Sequence, residues 1–309
     1  MTTLIYSHGA CGRHDTGPGH PESAARLSAV LEALKGPDFK NLRWREAPRA
    51  SMEQLTRLHP LDYVERVLGA VPDHGYTALD GDTVLSPGSG EAALRAAGAA
   101  CAAVDAVLGG EARTAFCAIR PPGHHAEPAI SMGFCMFNNV AVAAFHALEA
   151  HGLQRVAVID FDVHHGNGTQ AAFWDRAACQ YLSTHQSPLY PGTGRRSEQG
   201  AGNIVNTPLR PGSGSAEIRY AWSKELEPAL RAFAPELIFI SAGFDAHYMD
   251  PLAGLSFTED DYRWLTRKIL AVAGEHAHGR VVSMLEGGYN LEALGSCVAV
   301  HVQELQNAA

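Results

Sequence analysis

The chain has 309 residues, 46% of them hydrophobic, enough to bury a large core within one α/β domain. Its 24 basic and 33 acidic residues leave a formal charge of −9, which speaks against a nucleic-acid-binding face. Six cysteines at 11, 101, 117, 135, 179 and 297 form no CxxC pair, so reduced thiols are expected rather than a disulfide frame or a zinc knuckle. The start, MTTLIYSHGA, lacks the basic and long apolar regions of a signal peptide. No run approaches the ~18 apolar residues of a membrane span. The expectation is a soluble cytoplasmic protein that engages neither nucleic acid nor membrane; a homo-oligomer stays open.

In chain order, short apolar runs predict strands at 3–7 (TLIYS) and 41–46 (NLRWRE), followed by an amphipathic helix over 88–108. A strand at 114–120 (TAFCAIR) precedes a helix over 137–150. Strands follow at 155–161 (RVAVIDF), 179–184 (CQYLST) and 203–207 (NIVNT), then a helix over 215–233. The last elements are a strand at 236–243 (ELIFISAG), a helix over 258–275, a strand at 280–285 (RVVSML) and a helix over 291–306. Val- and Ile-rich runs without alternation suit strands buried on both faces of a parallel sheet. Strands separated by helices predict an open α/β sheet with helices on both faces. No repeat, low-complexity tract or linker divides the chain, so one domain over 1–309 is expected.

Four of these strands are followed by unusual polar strings: RPPGHHA after 114–119, DVHHGNG after 155–161, FDAH after 236–243 and EGGYN after 280–285. In open α/β sheets ligands bind outside the carboxyl ends of the strands, so four strands deliver such residues to one edge. Asp160, Asp162 and His164 alternate along the end of one strand and share a face, and Asp245 follows another. Two carboxylates and one imidazole leave a coordination position open, as catalytic zinc sites do. Any one of these residues alone is most often a helix cap or a surface carboxylate; the long ordered strings are not. His124 and His125 form a pair opposite that set, and hydrolysis needs a base for water and an acid for the leaving group. Tyr289 follows two glycines that let its ring approach a ligand, where its hydroxyl could polarise a carbonyl. SPGSG and YPGTG match neither a P-loop nor a dinucleotide fingerprint, and no G-x-S-x-G elbow occurs.

RPPGHHAE, GFCMFNNVAVAA, DFDVHHGNGTQ, YPGTG, SAGFDAH and EGGYNL together resemble the histone deacetylase family, most closely its class II branch and bacterial deacetylase-like amidohydrolases. The resemblance runs from HPESAARL at 20–27 to near residue 300. It implies an arginase/deacetylase fold around an eight-stranded parallel sheet. Position by position it implies Asp162, His164 and Asp245 as zinc ligands, His124 and His125 as the tandem histidines, and Tyr289 as the carbonyl-polarising tyrosine. Asp160 matches the aspartate behind His124, and Asn167 stands where class I enzymes have an aspartate beside the second histidine. Phe134 and Tyr190 match the aromatic walls of the acyl-lysine tunnel, Gly133 gives the chain room there, and Asp82 falls where the family holds a substrate backbone at the rim. Leu252 falls where lysine deacetylases have an apolar residue and polyamine-selective members a glutamate. A structural potassium is implied at the Asp160 and Ser183 side chains with the Asp162, His164 and Thr184 carbonyls, and a second at carbonyls around Phe173, Arg176, Cys179 and Asn203.

The implied reaction is metal-dependent hydrolysis of an acetyl-lysine protein or peptide, or of a small acetylated amine, with Fe2+ as the alternative to Zn2+. One rival keeps the fold and places two metals, His247 reaching a second ion. Another is a non-catalytic acyl-lysine-binding protein.

Overall fold

The computed structural model describes residues 2–309. In chain order the elements are β1 (Leu4–Ser7), α1 (Ala24–Ala33), β2 (Arg43–Glu46), α2 (Met52–Thr56), α3 (Leu61–Gly69), β3 (Thr77–Ala78) and β4 (Val84–Leu85). Next come α4 (Ser89–Leu108), β5 (Thr114–Cys117), α5 (Asn139–His151), β6 (Val156–Asp160), α6 (Asn167–Phe173), β7 (Cys179–Gln186) and β8 (Ile204–Leu209). The chain finishes with α7 (Ser215–Ala221), α8 (Glu227–Phe233), β9 (Leu237–Ala242), α9 (Glu259–His276), β10 (Val281–Leu285) and α10 (Leu291–Asn307).

Eight strands form one sheet in the order β2-β1-β5-β10-β9-β6-β7-β8, every pairing parallel. β3 and β4 make a separate antiparallel pair. Every residue of β5, β6, β9 and β10 is buried, which is why these strands carry unbroken apolar runs. On one side α4 packs against α5; on the other α10 packs against α1 and α9. The buried face of α4 is mostly alanine, which favours the helix and keeps it close to the sheet. α5 starts on Asn138, whose side chain accepts from Ala141 N at 3.0 Å, and stops at Gly152 in the left-handed region.

The eight predicted strands and the α/β class are as expected. The helix expected over 215–233 is interrupted by a π-helical turn at Trp222–Leu226, ahead of Pro228 in the first turn of α8. Proline has no N–H to continue the ladder, and the wider turn absorbs the break. All six cysteines are free and buried. No helix among the described residues is long and apolar enough to cross a membrane.

The four strands that carry the polar strings are neighbours at the centre of the sheet, β5-β10-β9-β6. Because all are parallel, their carboxyl ends open on the same edge.

Candidate active site and metal centre

β6 ends on Asp160, and the turn after it carries Asp162 and His164; Asp245 follows β9. One donor atom from each of Asp162, His164 and Asp245 lies within 4.8 Å of the others, all buried. His164 Nδ1 is 3.1 Å from Asp162 Oδ1 and 3.2 Å from Asp245 Oδ2. Ligands of one tetrahedral ion with bonds near 2 Å sit about 3.3 Å apart, so the spacing fits a shared cation. Backbone N–H groups aim the carboxylates: His164 N donates to Asp162 Oδ1 (2.9 Å), Gly287 N to Asp162 Oδ2 (2.8 Å) and Val163 N to Asp245 Oδ1 (2.8 Å). A Cβ at Gly287 would lie 2.1 Å from Asp245 Oδ2, so only glycine fits beside the ligand set. Burial, and then the charge of Asp162, raise the Asp245 carboxyl above its usual range. Two buried carboxylates sharing a spot call for a cation, and one nitrogen with two oxygens suits zinc or ferrous iron.

Asp105, His146 and His151 form a second His/Asp group, but of another kind. Both imidazole Nε2 atoms are 2.7 Å from Asp105 Oδ1, a direct hydrogen-bond length. Arg57 donates to His146 Nδ1 at 2.9 Å, which leaves the proton on Nε2 to bridge α5 to α4. His247 Nε2 sits 3.5 Å from Glu259 Oε2 and its Nδ1 accepts from Met249 N, so the structure turns His247 away from a second-ion role.

The two histidines stand side by side, rings 4.0 Å apart, with different partners. His124 Nδ1 donates to Asp160 Oδ2 at 3.0 Å, an oxygen that also takes the Tyr181 hydroxyl at 3.0 Å. Burial disfavours the charged ring, yet the Asp160 and Asp162 charges outweigh it and raise the His124 pKa well above the ordinary range. His125 Nδ1 meets Asn167 Oδ1 at 2.8 Å. Burial, then the positive His124, push His125 well below the ordinary range. One pair thus supplies a cation and a neutral base.

Tyr190 stands edge-on to His125 at 5.2 Å, and Phe134 edge-on to Tyr289 at 6.0 Å. Gly133 has φ +57°, and a Cβ there would lie 2.4 Å from the His125 ring. Phe134 is itself left-handed at φ +69°, which costs on the order of 1–3 kcal/mol in a non-glycine residue. The conformation is held from β4's approach: Gly133 N donates to Asp82 Oδ1 (3.1 Å) and Phe134 N to the Thr83 hydroxyl (3.2 Å). Asp82 therefore braces the Gly133–Phe134 loop with one oxygen. Leu252, 36% exposed, donates its N–H to Asp250 Oδ1, while Asp250 Oδ2 takes Tyr289 N at 2.7 Å.

The family model for the histone deacetylase domain matches residues 20–305. The chain belongs to the histone deacetylase family. It is 42% identical to the chloroplastic histone deacetylase 14 of Arabidopsis thaliana, over 96% of this chain and 75% of that one. It is also 42% identical to a histone deacetylase-like amidohydrolase of Pseudomonas aeruginosa, over 92% of this chain and 76% of that one. The crystal structure of the HDA15 HD domain superposes with a TM-score of 0.94 at 31% identity, covering 99% of this chain and 88% of that chain. Family membership makes this a hydrolase of the deacetylase/amidohydrolase type.

Three residues of this deacetylase's site escaped sequence reasoning. Glu286, 1% exposed, accepts from Gly123 N (2.7 Å) and His124 N (3.2 Å) on one oxygen and from the Ser241 hydroxyl (3.1 Å) on the other. It thereby ties the histidine loop to β9 and β10. Arg26 is fully buried with its guanidinium 4.9 Å from the Tyr289 ring centroid. It donates to Gly288 O (2.6 Å) and Glu286 O (2.5 Å), and is paired with Glu22. Glu127 accepts from Asn167 Nδ2 at 2.9 Å. The expected first potassium site has Asp160 paired with Ser183 across β6 and β7, Ser183 Oγ 2.9 Å from His185 Nδ1, and Thr184 buried next in line. At the expected second site the carbonyls of Phe173, Arg176 and Cys179 converge on the Asn203 side-chain amide, 2.8, 3.1 and 2.6 Å from its Nδ2.

Proposed function

We propose that this deacetylase hydrolyses the amide of an acetylated lysine-type amine, with one zinc ion held by Asp162, His164 and Asp245. The observation that carries the reading is the clustering of those donors beside His125, a buried imidazole kept neutral and held through Nδ1 by Asn167. When bound, zinc supplies a Lewis acid for the carbonyl and for water.

His125 receives the proton of the attacking water on Nε2 and delivers it to the departing amine nitrogen as the C–N bond breaks. The Tyr289 hydroxyl, kept protonated by burial, donates to the carbonyl oxygen as negative charge develops there. His124, cationic against Asp160, adds positive field without itself giving up a proton. Phe134 and Tyr190 cover the neutral acyl-lysine stem, with stabilisation in proportion to the apolar area removed from water. The Asp160, Ser183 and Thr184 oxygens suit a structural potassium behind the site.

Leu252 offers a second ammonium group no carboxylate to pair with, so acetylspermidine gains no recognition there and acetyl-lysine should be preferred. The test is kcat/KM for acetyl-lysine peptides, longer acyl-lysines and acetylpolyamines with metal-defined enzyme. Acetyl-lysine should lead by about tenfold or more, the effect of roughly 1.4 kcal/mol of discrimination. An acetylpolyamine preference would overturn the substrate assignment, and binding without turnover of any amide would overturn catalysis.

A further inference from the structure

We infer that Glu127, acting through Asn167, sets which nitrogen of His125 carries the proton, an inference that rests on the proposed role of His125 as base. The base needs its lone pair on Nε2 and hence its proton on Nδ1. In enzymes with an aspartate at position 167 a carboxylate would enforce this directly, because it can only accept. An asparagine does not. Its amide presents an acceptor at one end and donors at the other, nearly equal in shape, and can turn either end toward His125. With the nitrogen facing His125, Nδ1 would have to accept, the proton would sit on Nε2, and no base would face the reaction.

Glu127 removes that ambiguity. Its carboxylate takes Asn167 Nδ2 at 2.9 Å, and two weaker acceptors, Met132 Sδ (3.1 Å) and the His125 carbonyl (3.3 Å), lie toward the same end. Asn167 Oδ1 is thereby left facing His125 Nδ1 at 2.8 Å. The result is a directed chain, with the imidazole N–H donating to the amide oxygen and the amide N–H donating to the carboxylate. A charged acceptor makes the terminal bond the strongest of the three holding the amide nitrogen. Glu127 is fixed in turn by its backbone, Glu127 N donating to Ile130 O at 2.9 Å in the turn after the two histidines. Only partly buried, it can be replaced without opening a cavity. It touches neither the ligand set nor the carbonyl-polarising tyrosine, so it is a positioning residue.

The test reads the tautomer as well as the rate. Zinc-loaded protein with 15N-labelled histidine is compared with Glu127→Gln, Glu127→Lys and Glu127→Ala, the His125 signal being identified by its loss in His125→Ala. Wild type should show the proton on Nδ1. Glu127→Gln, whose amide can turn either its oxygen or its nitrogen toward Asn167, should shift only part of the population to Nε2, less than Glu127→Ala does, with kcat lowered by no more than about threefold. Glu127→Lys presents donors to Asn167 and should move the proton to Nε2, lowering kcat by roughly 10²-fold, the contribution of a general base, with zinc content and KM retained. Glu127→Ala should show a mixture of both forms, which keeps the test open if the lysine variant fails to fold. An Nδ1 proton in undiminished proportion in Glu127→Lys, or in Glu127→Ala where the lysine variant does not fold, overturns the inference whatever the rate. A displaced proton with an unchanged rate leaves the inference standing and removes His125 from the role of base.

Discussion

Asp160 and Asn167 stand behind adjacent imidazoles at similar distances, 3.0 and 2.8 Å, and differ by one formal charge. Burial is outweighed by Asp160 at His124 and meets no such carboxylate at His125, and the pair was legible because residues 160 and 167 stand in one string, DFDVHHGNG. The proposed ligands and the tyrosine stood out for the same reason: each is a metal-binding or polar type at the end of an apolar run. Glu127, Glu286 and Arg26 were not, because each acts on a partner brought by a different loop, and a glutamate or arginine in sequence looks like solvated surface. Tyr289 offers a clean test at this scale. In Tyr289→Phe the ring keeps its place over the Arg26 guanidinium and the ligand set is untouched. Loss of one transition-state donor should lower kcat by roughly 10²–10³ with bound metal unchanged. A wild-type rate would remove Tyr289 from the reaction. Gly133→Ala should be worse for the tunnel wall than for the metal: its Cβ meets the His125 ring at 2.4 Å and its φ is left-handed. Activity should fall while zinc content holds, and undiminished turnover would show that the loop can move aside.

His301 of α10 joins three elements, its Nδ1 2.8 Å from the Thr266 hydroxyl of α9 and its Nε2 2.8 Å from the Ser283 hydroxyl of β10. Burial holds this imidazole down at about 3. Unfolded, it returns to about 6.5, so between those values the unfolded chain binds the extra proton. Its contribution is whole above pH 6.5 and is lost as the pH falls through that window, by up to about 1.4 kcal/mol per unit. His59 and His185, both held near 4 by burial, act in the same direction. Urea unfolding of His301→Gln against wild type at pH 7.5 and 5 should show a flatter pH dependence in the variant; parallel curves would refute it. The strands were the best-read elements, since unbroken Val/Ile runs belong to buried parallel strands. β8 ran past its expected end, through Pro208 to Leu209, because an edge strand tolerates a residue with no N–H to donate. α1, α2, α3 and α6 were missed. α2 and α6 are too short to show a helical period and α1 depends on packing against α10, whereas the buried face of α3, Tyr63, Val64 and Val67, does follow the helical spacing and was readable.

At the scale of the whole molecule, the sheet order makes one site out of distant segments. β5, β10, β9 and β6 lie side by side, so histidines at 124 and 125, the candidate ligands at 162, 164 and 245, and a tyrosine at 289 open on one edge. The parallel class of the sheet could be read from composition; the neighbour order could not, because nothing in an apolar run names its partner. The central claim is that this edge holds one catalytic divalent ion. The measurement is acetate release from an acetyl-lysine peptide as chelator-stripped protein is titrated with zinc, for wild type and Asp245→Ala. No release is expected without metal, with recovery reaching its plateau at one equivalent, and neither tight binding nor recovery in Asp245→Ala. Full turnover after exhaustive chelation, or a plateau only at two equivalents, would contradict it.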